Sequence, residues 1–326
     1  MNNDGKILVS IVAPCYNEGE TVEPFLRRVR LVAASMSEYA FEYVFVDDGS
    51  LDDTAMRIKV EADRDPCVKL ISLSRNFGHQ RAITAGLEFC VGDLIVVIDA
   101  DLQDPPEKIP EILERLSSDC DLVHMVRSDR SVDSFMKRAS ARMFYALMRR
   151  YALPEMASDG PDFKGFNRDV LNALLQYRER VRFLRGIFAT LGFRQASIPY
   201  ERAARHAGGT KYSLRKMFAL GRDAMVSFSV LPLRVGFIVG APSIGLAVII
   251  GVFAIFKGLF LGGLHAPGQT VIIIMLSGFS GLILMALGAI GEYLGCLIRE
   301  AKRRPLYIVR ALVNITPRDI QKPPRV

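Results

Sequence analysis

The sequence predicts an α/β sandwich domain followed by an interfacial helix and a hairpin of two membrane-spanning helices. Three observations carry this. Short runs rich in Val, Ile and Leu alternate with helical stretches through the first part of the chain. Polar and charged residues close each of those runs. From Gly258 to Gly291 there is no Asp, Glu, Lys or Arg, whereas a soluble helix of that length needs a polar face.

The expected strands are Ile7–Ala13, Tyr43–Val46, Val68–Leu73, Leu94–Ile98 and Leu122–Val126. Most show little alternation of apolar and polar residues, the pattern of parallel strands buried on both faces. Helices are expected between them at Thr21–Met36, Asp52–Asp63, Arg81–Cys90 and Pro106–Leu116. This βαβ rhythm predicts an α/β sandwich, and in such sheets ligands bind beyond the carboxyl ends of the strands. Those ends read Pro14-Cys-Tyr-Asn-Glu18, Asp47-Asp-Gly-Ser50, Ser74-Arg-Asn-Phe-Gly78, Asp99-Ala-Asp-Leu-Gln103 and Arg127. Any one of these clusters is ordinary turn chemistry; their succession marks a site.

Further along, residues 213–228 place Leu214, Met217, Phe218 and Met225 near one helical face, with Arg215 and Arg222 on another. Such a helix lies in a membrane interface or packs on the globular domain. Phe237–Phe256 and Thr270–Gly291 carry no charge, and each is long enough to cross a hydrocarbon core of about 30 Å. The flanks are basic, with Lys211, Arg215, Lys216, Arg222 and Arg234 before and Arg299, Lys302, Arg303 and Arg304 after. The positive-inside rule puts both flanks in the cytoplasm. The expected organisation is a cytoplasmic domain at 1–212, an amphipathic helix at 213–230, a transmembrane hairpin at 231–298 and a basic cytoplasmic tail at 299–326.

Net charge is +7, concentrated around the apolar region. That placement, without an aromatic-interleaved stripe, argues against nucleic acid and for an anionic membrane surface and anionic substrates. None of the five cysteines lies at metal or redox spacing, and no signal peptide is expected at Met1–Val12.

Asp99 and Asp101 end a buried apolar strand, where paired carboxylates can hold a hard divalent cation. Asp-x-Asp alone is a weak signal. Pro14-x-Tyr16-Asn17-Glu18, Val46-Asp47-Asp48-Gly49-Ser50 and Asp99-Ala100-Asp101-Leu102-Gln103 together resemble family 2 glycosyltransferases with the GT-A fold, a Rossmann-like nucleotide-binding domain. The resemblance is closest to the polyprenyl-phosphate branch, which includes dolichyl-phosphate mannose synthases, aminoarabinose transferases and bactoprenol glucosyl transferases. Ser74-Arg-Asn-Phe-Gly-His-Gln80, Gly291-Glu-Tyr-Leu-Gly295 and Arg304-Pro305-x-Tyr307 are similar to the bactoprenol subgroup. The likeness runs from about Leu8 to Val309.

The resemblance implies roles. Pro14, Tyr16, Glu18, Val46 and Asp48 match a pocket for base and ribose. Asp99, Ala100, Asp101 and Gln103 match positions that meet the nucleotide phosphates, with Asp101 and Gln103 as ligands of Mg²⁺ or Mn²⁺. Arg127 matches an arginine at the sugar diphosphate. Lys137, Arg138, Arg205 and Lys211 match cations that hold the acceptor phosphate, although Ala141 stands where the family pattern often has Ser. Asp162 falls where an acid lies near the acceptor, as a candidate base or as an orienting group. Arg182 and Arg185 match a basic element, able to bind phosphate or to lie on a helix surface.

The implied activity is transfer of a hexose, with UDP-glucose favoured, onto undecaprenyl phosphate with inversion. GDP-mannose and UDP-amino sugars remain alternative donors, and a catalytically inactive membrane scaffold is the rival of another class. The implied setting is the bacterial inner membrane, with the catalytic domain cytoplasmic and a homo-oligomer expected.

Overall fold

The computed structural model describes residues 5–128, 161–180, 182–201 and 267–316, and the single positions Pro242, Gly245, Ile249 and Phe256. Its first strand, β1 (Ile7–Cys15), pairs residue for residue with β2 (Tyr39–Asp47), both parallel. That pairing makes β2 longer than the Tyr43–Val46 expected from its apolar run, because ladder hydrogen bonds carry Tyr39–Glu42 as well. Strand β3 (Val68–Leu73) continues the parallel set beyond β2, and β4 (Leu94–Val97) joins on the other side of β1.

Strands β5 (Leu122–Arg127), β6 (Lys164–Asn167), β7 (Gln195–Tyr200) and β8 (Val309–Val313) complete one mixed sheet of order β7-β5-β6-β4-β1-β2-β3-β8. β6 is antiparallel to both neighbours, and β8 is antiparallel to β3. The last three strands were not expected from the sequence.

Helices cover both faces. Val9, Ile11, Ala13, Phe45 and Val96 point into a core closed by α1 (Val22–Ala34), α2 (Thr54–Arg64) and α4 (Ile109–Ser118). Phe25 of α1 meets Phe45 edge to face at 6.0 Å. Complete burial of each such side chain contributes about 1.5–3 kcal/mol. The opposite face receives α3 (His79–Phe89), where Gly86 lets the helix approach so closely that a Cβ there would lie 2.4 Å from Val12 Cγ1. The register puts Phe166 of β6 on this same face, packed on Phe188 of α6 (Leu184–Thr190) at 5.2 Å. Helix α5 (Arg168–Gln176) follows β6 directly, capped by the Asn167 side chain on the Val170 N–H.

The expected helix Pro106–Leu116 starts as a 3₁₀ turn at Pro106–Lys108. Pro110 has no N–H to reach back to the Pro106 carbonyl, which accepts from the Ile109 N–H instead.

A buried ion pair ties three strands under the end of α3. Lys69 Nζ lies 2.8 Å from Glu42 Oε2, with side chains only 10% and 5% exposed. Glu42 Oε1 also accepts from Ser10 Oγ at 2.5 Å and from the Val91 N–H at 2.7 Å.

The chain divides into two units, 1–213 with 304–326, and 214–303. The second contains α7 (Pro267–Ala301), which includes the expected span Thr270–Gly291 and continues to the end of the Gly291-Glu-Tyr-Leu-Gly295 motif and beyond. Ile283, Leu284, Met285, Leu287, Ile290, Leu294 and Leu297 stand exposed along it. It is the one helix among the described residues long and apolar enough to cross a membrane. The expected helix at 213–230 lies outside the described residues, and so does the span Phe237–Phe256 apart from Pro242, Gly245, Ile249 and Phe256.

Part of the segment expected as a basic tail at 299–326 pairs with the sheet. Residues 309–313 form the edge strand β8, Ser74 donates its N–H to the Ile308 carbonyl at 2.9 Å, and the Tyr307 hydroxyl donates to Glu88 of α3. An exposed β3 edge is covered in this way, a long-range pairing that composition does not reveal.

Removing one partner of the buried pair leaves the other charge uncompensated, at a cost of about 3–5 kcal/mol. Glu42→Ala is therefore expected to lower the denaturation midpoint of the full chain in detergent clearly more than the double variant Glu42→Ala/Lys69→Met, which removes the isolated charge as well. Equal midpoints for Glu42→Ala and wild type would show that the pair is dispensable.

Candidate active site

The sheet order places a topological switch point between β1 and β4: β2 and β3 lie on one side of β1, and the chain then crosses to β4 on the other. Ligands bind beyond the carboxyl ends of the strands at such a point. There the loops after β1 and β2 are laced together. The Asn17 N–H donates to Ser50 Oγ at 3.0 Å, and Asn17 Oδ1 accepts from the Leu51 N–H at 2.8 Å. Glu18 and Gly19 donate their N–H groups to Thr54 Oγ1 and Asp52 Oδ2 at 2.9 and 3.1 Å. Asn17 adopts φ 53, in the left-handed region that Asn tolerates best after Gly.

Each residue of the Asp47-Asp-Gly-Ser50 turn has a structural reason. Asp47 is buried and accepts from the Ser50 N–H and from Ser72 Oγ, both at 3.0 Å. Gly49 has φ +66, and a Cβ on it would lie 2.3 Å from the Arg75 carbonyl carbon. Asp48 reaches across to the loop after β3, accepting from the Phe77 N–H at 2.7 Å and the Gly78 N–H at 2.9 Å. Burial pushes its carboxyl above the ordinary range, against the pull of those two donors.

At the end of β4, Asp101 Oδ1 accepts from the Gln103 N–H at 3.1 Å, and Leu102 is held at φ 61. Gln103 and Asp104 are buried. The Tyr200 hydroxyl, at the end of β7, donates to Asp104 Oδ1 at 2.5 Å and accepts from Arg127 Nε at 3.5 Å. Arg127 ends β5, so three strand ends meet here.

His79, the first residue of α3, sits between two carboxylates, with Nε2 3.1 Å from Asp162 Oδ2 and 3.5 Å from Asp99 Oδ1. Burial works against its charge, but Asp99 and Asp162 outweigh it and push its pKa up to about 9. Asp99 is pushed up by burial and by neighbouring carboxylates, with His79 opposing.

The structure thus gathers Asp48, Asp99, Ala100, Asp101, Gln103 and Arg127 at the ends of β2, β4 and β5, beside Pro14, Tyr16, Glu18 and Val46 at the ends of β1 and β2. Lys137, Arg138, Arg205 and Lys211 lie outside the described residues. Arg182 and Arg185 have different partners. Arg185 donates to Asp162, whereas Arg182 is buried and donates to the Tyr177 carbonyl at 2.5 Å. No role for His79, Gln80, Tyr200 or Asp104 follows from the sequence alone. His79 and Gln80 belong to the Ser74–Gln80 motif, which was the available signal; nothing local marks Tyr200.

A family model described as "Glycosyl transferase family 2" matches residues 10–175. An uncharacterized glycosyltransferase of Bacillus subtilis is 39% identical over 95% of this chain and 95% of its own. The chain belongs to glycosyl transferase family 2. The bactoprenol glucosyl transferase of Shigella phage SfV is 35% identical over 93% of this chain and 98% of its own. Among solved structures, glucosyl-3-phosphoglycerate synthase from Mycobacterium tuberculosis, in complex with Mn²⁺, UDP and phosphoglyceric acid, superposes with a TM-score of 0.47 at 20% identity, over 68% of this chain and 76% of that one. The mixed α/β sheet carries the family motifs at its carboxyl edge.

Losing a buried acceptor costs about 1–3 kcal/mol for each donor left unpaired. Asp48→Ala is expected to raise hydrogen exchange at the Phe77 and Gly78 amides roughly tenfold or more. Unchanged exchange there would show that the loop is held without Asp48.

Proposed function

We propose that this glycosyltransferase moves a hexose, glucose above others, from UDP-glucose onto a polyprenyl phosphate of the undecaprenyl class. Transfer takes place at the cytoplasmic face of the bacterial inner membrane and inverts the anomeric carbon. The observation that carries this reading is the likeness to a bactoprenol glucosyl transferase over nearly the full length of both chains. The apolar helix α7 supports a membrane-borne acceptor.

In this reading Pro14, Tyr16, Glu18, Val46 and Asp48 form the base and ribose pocket, and Asp99, Ala100 and Arg127 meet the sugar diphosphate. Lys137, Arg138, Arg205 and Lys211 hold the lipid phosphate through charge-assisted hydrogen bonds. The lipid phosphate oxygen attacks the anomeric carbon and the nucleoside diphosphate departs from the opposite face. Alignment and charge stabilisation supply the rate, since a phosphate acceptor is already ionised.

Asp101 and Gln103 are the residues that would hold a divalent cation. Both offer oxygen donors, which suits Mg²⁺ or Mn²⁺. Among the described residues no three His, Cys, Asp or Glu side chains cluster into a metal cage. Two oxygen donors suit an ion that completes its shell with diphosphate and water. Such an ion offsets charge on the diphosphate leaving group.

The test is incubation of the purified full-length protein with undecaprenyl phosphate, Mg²⁺ and UDP-glucose, GDP-mannose or UDP-amino sugars, followed by mass analysis of the lipid. The expected product from UDP-glucose is the lipid phosphate heavier by one hexose, and both Asp101→Asn and EDTA are expected to abolish it. A different preferred donor would correct the sugar alone. Absence of a glycolipid with every donor would overturn the acceptor, and full activity in EDTA the metal.

A further inference from the structure

Asp162 lies two residues before β6, buried against α3 and α6. Donors converge on its carboxylate from both helices. Arg185 Nε donates to Oδ1 at 3.0 Å; His79 Nε2, Gln80 Nε2 and Arg185 Nη2 stand 3.1, 3.0 and 3.3 Å from Oδ2. A carboxylate has about four lone-pair directions, so little acceptor capacity is left. Burial opposes the charge, but Arg185 and His79 outweigh it and hold the carboxyl well below the usual range. A general base needs an open lone pair and a pKa near the working pH, and Asp162 offers neither.

The network instead fixes positions. Gln80 Oε1 accepts from the Leu184 N–H at 3.1 Å, which ties the start of α3 to the start of α6. Asp162 accepts from Arg185 and Gln80 and is an acceptor toward His79 too, so the Nε2 that faces it carries the proton. Asp99 Oδ1, which it also faces, is buried with no hydrogen bond among the described residues. Lys164 Nζ, buried and bonded to the Pro161 carbonyl at 2.9 Å, adds a further cation near Asp162.

We propose that His79 is a positioning residue for sugar transfer, its Nε2–H held by Asp162 so that it faces Asp99 at the diphosphate end of β4, and that Asp162 is its anchor and not a proton acceptor. The proposal rests on the reading of the β1–β4 switch point as the sugar-diphosphate site. Charge grows on the leaving diphosphate during transfer, and the His79 Nε2–H faces that end of β4. A donor placed there acts as the charge develops, so its loss falls on kcat more than on KM.

The test uses full-length Asp162→Asn, His79→Gln and the double variant, and compares transfer to undecaprenyl phosphate with the slow hydrolysis of UDP-glucose by water. Water must lose a proton as it attacks, whereas the lipid phosphate need not. An anchor predicts that Asp162→Asn lowers kcat for both reactions by one common factor, roughly 10- to 100-fold, with KM for UDP-glucose within about threefold. It also predicts that His79→Gln lowers kcat on its own, and that the double variant costs no more than the worse single one. Hydrolysis lost at least tenfold more than transfer in Asp162→Asn, or its restoration by added formate, would make Asp162 the proton acceptor and overturn the proposal. So would a wild-type kcat in His79→Gln, or single effects that multiply. If Asp162→Asn does not fold, as judged by UDP binding, the kcat of His79→Gln decides. Should the wild type form no glycolipid, the acceptor reading alone fails, and additivity measured on hydrolysis still decides this one.

Discussion

The carboxylate of Asp162, buried and surrounded by His79, Gln80 and Arg185, joins the two halves of the catalytic unit. Helix α3 belongs to the β1–β2–β3 half, and α6 packs on β6 in the other. Burying a carboxylate is unfavourable unless its charge and lone pairs are matched, and here cations and an amide match them. The Ser74–Gln80 loop is thereby fixed at its far end, while Asp48 holds its middle through Phe77 and Gly78 and the Ile308 carbonyl holds its start through Ser74. A loop pinned at these points can present His79 to Asp99 without the entropy of an open segment.

Most of the parallel core was legible in the sequence, because continuous Val/Ile/Leu runs such as Leu94–Val97 have few alternatives to a buried strand. The strands that escaped lack that signature. β6 is Lys164-Gly-Phe-Asn, short and half polar; β7 alternates and contains Pro199; β8 follows α7 and pairs with a strand more than two hundred residues earlier. Their stability comes from partners that no local window contains. The candidate site divides in the same way. Asp48, Asp99, Asp101, Gln103 and Arg127 were readable because each ends a recognisable strand. The His79–Asp162 contact bridges 83 residues of sequence, and Tyr200 reaches Asp104 across 96, so their meeting depends on tertiary topology.

The return of residues 304–314 to the sheet changes how the apolar unit is understood. Residues 214–303 are inserted within the catalytic unit, with β7 before them and β8 after. Tyr307 against Glu88 and Asn314 Nδ2 on the Ala62 and Val68 carbonyls at 2.6 and 2.8 Å secure the returning chain. Ala301, the last residue of α7, and Arg304, where the first unit resumes, are separated by two residues.

The proposed nucleotide-sugar site lies at the carboxyl ends of β1 and β4, with His79 between Asp99 and Asp162. A crystal structure of the full chain with uridine diphosphate and Mn²⁺, with the metal located by its anomalous signal, tests this most directly. Manganese is expected within about 2.2 Å of an Asp101 oxygen, as hard cations bind oxygen donors. The diphosphate is expected beside Gln103 and Arg127, with His79 Nε2 still within hydrogen-bond reach of Asp162. Nucleotide and metal bound away from the β1–β4 switch point, or His79 swung out of contact with Asp162, would contradict it.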